Sequence, residues 1–425
     1  MTMLSEEKTP LRIAGLMARA FINSKLTPLF IVGALLAGAF AILMTPREEE
    51  PQIVVPVLDV FVQMPGASAA EAQQRATIPM ERLLREVPGV EYVYSITRPE
   101  LSMLVVRFYV GTKEEDAIVK TYNKLYSNFD RIPAGVSPPL IKVRSIDDVP
   151  IMALTLWGAN YDSYKLRQIA GELENQLKQI DNVSETRIIG GLPRQVRVVL
   201  DTQRLSAYGM AAGAVTGQLQ QANSRAGAGS FSRDNQEFNV EAGRFLEKAD
   251  DLKQVVVGVF LGRPVYLRDV AAEIADGPSE PQDYVLFANA AGAPQGLPRG
   301  ENPAVTITVA KRKGTNATDI SVHAEKKIEG LRGYLLPSDL NVTVTRNYGE
   351  TAKDKSDELL KHLFLATLSV TLLVALALGW RESGVVLLAV PVTLALTLVV
   401  FYLYGYTLNR VTLFALIFSI GILVD

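Results

Sequence analysis

Cysteine is absent from this 425-residue chain, and histidine occurs only at positions 323 and 362. Without thiols there is no disulfide, no thiolate metal centre, no iron–sulfur cluster and no cysteine nucleophile. Two histidines are too few for a His-rich metal site. An excess of either charge is missing as well. Lys and Arg number 43 against 45 Asp and Glu, so no basic field exists to hold a nucleic-acid backbone, and no nucleic-acid partner is expected. The sequence lacks a Walker lysine motif, a complete GxGxxG, a GxSxG elbow and a zinc-hydrolase motif. Gly227-Ala228-Gly229 is not a phosphate loop by itself. Neither ATP hydrolysis nor covalent catalysis is therefore expected, nor a metal or organic cofactor.

What the chain does have is long apolar runs. Residues 26–45 form an uncharged stretch of 20 residues, about 30 Å long as a helix and enough to cross a bilayer. Residues 363–380 give 18 more without a charge, 383–409 give 27, and 411–424 give 14 that end against Asp425. We read four membrane spans, at 26–45, 363–380, 383–405 and 411–425, with Arg381-Glu382 as the turn between the second and third. A signal peptide is a poor match for the first run, which is long and lacks a small-residue cleavage site before Arg47-Glu48-Glu49-Glu50.

Lys8, Arg12, Arg19 and Lys25 precede the first run and acidic residues follow it. The positive-inside rule places the N-terminus in the cytoplasm and the long insert outside. In the segment 1–25, Leu11, Gly15, Ala18 and Ile22 share a helical face, the pattern of an interfacial helix on the inner leaflet. The last run rises only about 21 Å in a hydrocarbon layer about 30 Å thick. Ending there would bury a side-chain carboxylate, a terminal carboxylate and unpaired carbonyls together, so the expectation is a fragment of a longer protein.

The insert alternates strand and helix patterns. A β-branched run at 54–64 stops at Pro65-Gly66, and Ser68 with Glu71 three residues on forms a capping box for a helix to about 86. Strands follow at 90–97 and 101–110, then a helix at 114–129. A related phrase returns with a strand at 151–157, a helix at 162–179, and strands at 183–189 and 195–200. It returns again with a strand at 304–310, a helix at 317–332 and a strand at 341–346. The expected fold class is an α-helical membrane domain plus an α+β exported portion built from repeated split βαβ, ferredoxin-like units. Residues 224–235, polar and Gly-containing, suit a protruding hairpin. The charged stretch 349–361 is helix-compatible and can run unbroken into the second span.

Asp425 is the acidic residue of an otherwise apolar run. A carboxylate in lipid costs about 2.5–3.5 kcal/mol on insertion scales, so such groups are kept mainly where they bind protons or ions. Met64, Met80, Met103 and Met152 are scattered over strands and a helix, which favours core packing over a soft-metal path. Lys311-Arg312-Lys313 reads as a solvated turn at a strand end, and both histidines read as solvated or interfacial.

Several pieces now stand in a known order. They are Pro46-Arg47-Glu48-Glu49-Glu50-Pro51-Gln52-Ile53, Pro65-Gly66-Ala67-Ser68, Val87-Pro88-Gly89-Val90, Lys313-Gly314-Thr315-Asn316-Ala317-Thr318-Asp319 and Gly421-Ile422-Leu423-Val424-Asp425. With one span, a long insert and three further spans, the chain resembles the N-terminal half of a resistance–nodulation–division (RND) multidrug efflux transporter of the hydrophobic and amphiphilic efflux, AcrB-like subclass. The resemblance implies a proton/drug antiporter of the bacterial inner membrane, trimeric when full length. It would export small hydrophobic or amphiphilic substrates from the periplasm or inner leaflet, through a periplasmic adaptor and an outer-membrane channel.

The resemblance also implies residue roles. Asp425 takes the first position of the family's aspartate pair as proton relay, with the proton gradient as energy source. Residues 53–149 correspond to porter subdomain one, 150–197 with 283–347 to porter subdomain two, and 198–282 to the docking subdomain. Pro150, Met152 and Ile189 match strand positions that face the drug pocket. None is aromatic, a departure from the Phe-rich pocket of the best-known members, and the hairpin at 226–235 is shorter than theirs. Two alternatives remain open at this point. One is a non-transporting membrane scaffold whose exported modules bind a partner; the other is an RND exporter of metal ions or lipids.

Overall fold

The computed structural model describes residues 21, 24–49, 51, 55–145, 148–289 and 300–424. The interfacial face expected from Leu11, Gly15, Ala18 and Ile22 lies outside these residues, as does Asp425.

Among the described residues, three helices are long and apolar enough to cross a bilayer: α1 (Thr27–Met44), Tyr348–Ala377 and Trp380–Leu403. Large apolar side chains such as Leu29, Phe30, Leu36 and Leu43 point outward from α1. In water that surface would be costly; in lipid it is not.

The first α/β module runs strand β1 (Val57–Gln63), helix α2 (Ala69–Ala72), a π-turn at Gln73–Thr77, helix α3 (Ile78–Arg85), strands β2 (Val90–Arg98) and β3 (Leu101–Phe108), helix α4 (Glu114–Tyr126) and strand β4 (Leu140–Arg144). Ser68 and Glu71 make the expected capping box. The π-turn sits just ahead of Pro79, whose missing N–H interrupts the regular ladder. The sheet is antiparallel in the order β2-β3-β1-β4. Leu58, Val60 and Val62 of β1 with Leu104, Val106 and Phe108 of β3 form its inner face. They bury against Ala76, Met80, Leu84, Ala117 and Leu125 of the helices.

The second module is assembled from two separated stretches. Strand β5 (Pro150–Trp157), helix α5 (Ser163–Leu177) and strand β6 (Val183–Ile189) come first. A long excursion follows, opened by strand β7 (Arg194–Leu200), helices α6 (Thr202–Ala207) and α7 (Ala212–Ala222), and the hairpin β8 (Ser224–Arg233) and β9 (Gln236–Arg244). Helix α8 (Ala249–Lys253), strands β10 (Val256–Phe260) and β11 (Arg263–Tyr266), helix α9 (Leu267–Val270) and strand β12 (Ala271–Pro278) complete it. The chain then returns through β13 (Leu286–Ala288), β14 (Glu301–Lys311), α10 (Ala317–Leu331) and β15 (Asn341–Asn347). In the sheet, β14 lies between β5 and β6, β15 flanks β5 on the other side, and β13 extends β14. The apparent third repeat is thus the second half of the second module. Its core joins Met152, Leu154, Leu156, Val305, Ile307 and Val309 to residues of α5 and α10.

One strand departs from the repeat pattern. The sequence reading put 195–200 in the second module's sheet, but β7 pairs with β12 in a separate two-stranded ribbon. Val198 and Leu200 pack instead with Leu205, Val257, Leu267 and Val270 of the excursion, which has its own small core. Beyond that core the hairpin β8–β9 stands fully exposed along its length. Asp234 and Asn235 both take positive φ at its tip, the conformation of a two-residue hairpin turn.

Back at the membrane, α11 (Tyr348–Ala377) is a single 30-residue helix, about 45 Å long. It carries the charged stretch 350–361 and the apolar run without a break. It ends where Gly379 takes φ +117°, and α12 (Trp380–Leu403) begins at once. Arg381 and Glu382 therefore lie in the first turn of α12, not in the inter-helix turn expected there. Only a glycine accommodates that φ without strain, so the corner falls two residues earlier. Helix α13 (Arg410–Val424) follows. Leu394 and Leu398 of α12 pack with Leu413, Leu416 and Ile420 of α13 and with Ala41 of α1.

Candidate functional site

Three separated pieces of chain meet where the membrane helices join the second module. The segment after α1 contributes Pro46 to Glu49, the corner between α12 and α13 contributes Thr407 to Arg410, and the end of β14 contributes Lys311. Local structure sets each in place. The Asn409 side chain accepts from Val411 N–H and Thr412 N–H at 3.0 Å each, so Asn409 caps α13 and is almost fully buried. Its amide group donates to the Thr407 hydroxyl at 3.0 Å.

Main-chain bonds then clamp the first piece to the second. Leu408 N–H donates to Pro46 O at 2.9 Å and Glu48 N–H to Leu408 O at 3.0 Å. Ala317 N–H, at the start of α10, donates to Arg47 O at 3.2 Å. The stretch from Pro46 to Glu48 is thus held between two bodies, not loosely solvated.

Side chains close the joint. Lys311 Nζ donates to Glu48 Oε1 at 2.6 Å, and Thr407 Oγ1 donates to Glu48 Oε2 at 3.2 Å. The Lys311 and Glu48 side chains are 8% and 3% exposed, which makes theirs, among the described residues, the one ion pair buried on both sides. Outer pairs flank it, with Arg47 2.7 Å from Asp357 of α11 and Arg410 3.5 Å from Glu49. Lys311 is therefore not part of a solvated turn, as the run Lys311-Arg312-Lys313 suggests. Removing one partner of such a buried pair costs about 3–5 kcal/mol, because it strands the other charge.

The second module also grips α11 directly. Gly349, in its first turn, lies against α10, and Thr318 Oγ1 donates to Gly349 O at 2.8 Å. Asn347 caps α11 by accepting from Glu350 N–H at 3.0 Å.

The sheet face of the second module turned away from its helices is rich in hydroxyls. Thr155 Oγ1 lies 2.9 Å from Thr306 Oγ1 and 3.2 Å from Thr345 Oγ1. Trp157, 1% exposed, donates from Nε1 to Thr343 Oγ1 at 2.9 Å and stacks on Phe287 at 4.5 Å. Of the strand positions expected to meet a substrate, Ile189 sits on this face opposite Thr306 and is 48% exposed. Pro150, half-buried, pairs with Ala310 at the irregular end of β5. Met152 is fully buried in the core beneath the helices and presents no surface to a ligand. Nothing local in the chain marks Trp157 and Phe287 as partners, since they are 130 residues apart.

In the membrane-length helices an apolar groove of about 410 Å³ lies between α1, α11 and α12, bordered by Ile42, Leu363, Thr367, Pro391 and Leu398. Helix α13, which leads to Asp425, contacts α11 and α12.

Elsewhere a two-bond ion pair spans the ribbon that leads to the excursion. Arg194 donates Nε–H to Asp276 Oδ1 at 2.8 Å and Nη2–H to Oδ2 at 2.5 Å. These bonds hold the Asp276 carboxyl below the usual aspartate range. In the second module, burial and then the bond to Asp339 push the Tyr161 phenol up to about 12.

The family model described as the AcrB/AcrD/AcrF family matches residues 17–425. Among curated relatives, a multidrug resistance protein MdtC of Proteus mirabilis is 27% identical over 402 residues. The multidrug resistance protein MdtC of Yersinia enterocolitica is 26% identical over the same length. Each match covers 94% of this chain and 38% of the relative, so the chain spans well under half the length of either.

Proposed function

The chain belongs to the AcrB/AcrD/AcrF family of RND multidrug transporters, and from that premise we propose that it supplies the N-terminal half of a proton-driven exporter of hydrophobic or amphiphilic compounds. The observation that carries this reading is α11, one unbroken helix from the second module into the apolar groove. A helix of that length transmits displacement between membrane and exported module instead of absorbing it in a loop.

In this reading Asp425 takes up the proton. Neutralising it removes its attraction for a basic neighbour and shifts α13 between two packings against α11 and α12. Moving one charge across 100 mV supplies about 2.3 kcal/mol, enough to move a two-state equilibrium roughly fifty-fold. The N-terminus is cytoplasmic, the two modules are periplasmic split βαβ units, and the working form is a trimer with an adaptor and an outer-membrane channel. The sheet order β2-β3-β1-β4, and the matching order of β6, β14, β5 and β15, support the module reading. Substrate meets the second module at Ile189 and Pro150, while Met152 supports that surface from the core.

A non-transporting scaffold has no use for an acid in an apolar helix, and the matched relatives carry multidrug resistance in their names. The test is energised efflux by the full-length transporter carrying Asp425→Asn. Loss of efflux with normal membrane levels is expected; efflux at the wild-type rate would overturn the assignment.

A further inference from the structure

We propose that Glu48 is a positioning residue that fuses the α12–α13 corner to β14, so that a shift of α13 reaches the second module's sheet directly, in parallel with α11. The inference rests on the transporter reading above, since it assigns a route for the motion that reading requires.

Glu48 uses each carboxylate oxygen on a different body. Oε1 holds Lys311 of β14, and Oε2 accepts from Thr407 of the corner. Thr407 is bonded in turn to Asn409, the residue that caps α13. An uninterrupted series of polar contacts therefore runs from the first turn of α13 through Asn409, Thr407, Glu48 and Lys311 into β14. The main chain doubles the link, because Glu48 N–H and Pro46 O both bond Leu408 while Arg47 O bonds Ala317.

The chemistry makes this joint stiff. A lysine and a carboxylate out of water can separate only by leaving each charge without its counter-ion and without solvent. The corner and the strand are thereby constrained to move together. β14 is also well placed to use such a motion, lying between β5 and β6 and carrying Thr306 opposite Ile189 on the open face. A buried ion pair is a poor device for stability alone, since apolar residues of similar size serve as well or better. Its position across two bodies, where the segment after α1 touches both, is what a transmission joint requires.

The test uses the full-length transporter reconstituted in liposomes under an imposed proton gradient, with efflux measured against substrate concentration. Thr407→Val keeps the ion pair but cuts the corner's bond to Glu48; Glu48→Gln and Lys311→Met break the pair. Each is expected to lower maximal efflux about tenfold while the half-saturating concentration stays within roughly twofold of wild type. The charge exchange Glu48→Lys with Lys311→Glu is expected to recover most of the rate lost in the single variants. Should Glu48→Gln or Lys311→Met fail to fold, Thr407→Val decides alone. Wild-type maximal efflux in Thr407→Val, with Asp425→Asn inactive, overturns the joint and spares the transporter reading. An active Asp425→Asn removes that reading as well.

Discussion

Gly349 of α11 and Ser321 of α10 approach so closely that a Cβ on Gly349 would lie 2.2 Å from Ser321 Oγ and 2.4 Å from the carbonyl oxygen of Ala317. The first turn of α11 is thus seated on α10, and no other residue type fits there without moving one helix. We expect Gly349→Ala to cost about 1–3 kcal/mol by overpacking and to lower maximal efflux of the full-length transporter while the protein still reaches the membrane. Ser321→Ala, which removes the nearer atom, is the matched control and should transport better than Gly349→Ala. Thermal unfolding in detergent and efflux in liposomes check the two parts separately.

Much of this architecture is legible in the chain because its signals are local. The uncharged run at 26–45, the Ser68–Glu71 capping box and the strand read at 101–110 each follow from neighbouring residues and reappear as α1, α2 and β3. What the chain conceals is pairing over long distance. β7 reads as one more strand of the repeat, and only the partner 71 residues after its last residue, Ala271 against Leu200, shows that it belongs to the ribbon. Lys311 reads as solvated because it adjoins Arg312 and Lys313; its burial depends on Glu48, 263 positions away. Met152 reads as a strand position facing the substrate, but it lies on the opposite face, fully buried against the helices. The expectation for Asp425 rests on a local signal, an acid in an apolar run, and Asp425 itself lies outside the described residues.

Helices α1 and α12 meet through small residues. A Cβ at Gly38 would fall 2.4 Å from the Ala395 Cβ, whereas one at Gly33 would meet nothing within 4 Å. Close approach of this kind lets van der Waals contact hold helices together in lipid, where no hydrophobic force does. Gly38→Val should therefore lower the unfolding temperature in detergent and weaken cross-linking between cysteines introduced into α1 and α12. Gly33→Val, on the same helix but facing open space, should leave both near wild type. This chain adds no native cysteine to the cross-linking background.

Acid should loosen the ribbon that leads to the excursion. The Asp276 carboxyl titrates below its ordinary value because it accepts two bonds from Arg194. A depressed carboxylate stabilises the fold above its unfolded pKa, about 3.9 for Asp, and that contribution disappears as pH falls through the lower folded value. The protection of the β7 and β12 amides, taken against intrinsic exchange at each pH, should accordingly be unchanged from neutral pH down to about 4 and fall below it. In Asp276→Asn the same strands should be less protected at neutral pH and show less further response to acid. Both residues are partly exposed, so the effect is local and modest.

Trp157 offers an optical probe of the second module's open face. The chain has only two tryptophans, and the other, Trp380, is exposed at the start of α12. With Trp380→Phe in place, emission should come from an indole that is sealed from water, stacked on Phe287 and bonded to Thr343. We expect a blue-shifted spectrum that iodide barely quenches. Thr343→Val keeps the shape but leaves the buried indole N–H without an acceptor, a loss of about 1–3 kcal/mol. Thr343→Ser restores the oxygen and should recover most of it. If the indole bond organises this face, Thr343→Val should also red-shift the emission and open Trp157 to iodide, while Phe287→Leu should change the spectrum with less loss of stability. Equal spectra and equal unfolding midpoints for Thr343→Val and wild type would mean that Trp157 is held by packing alone.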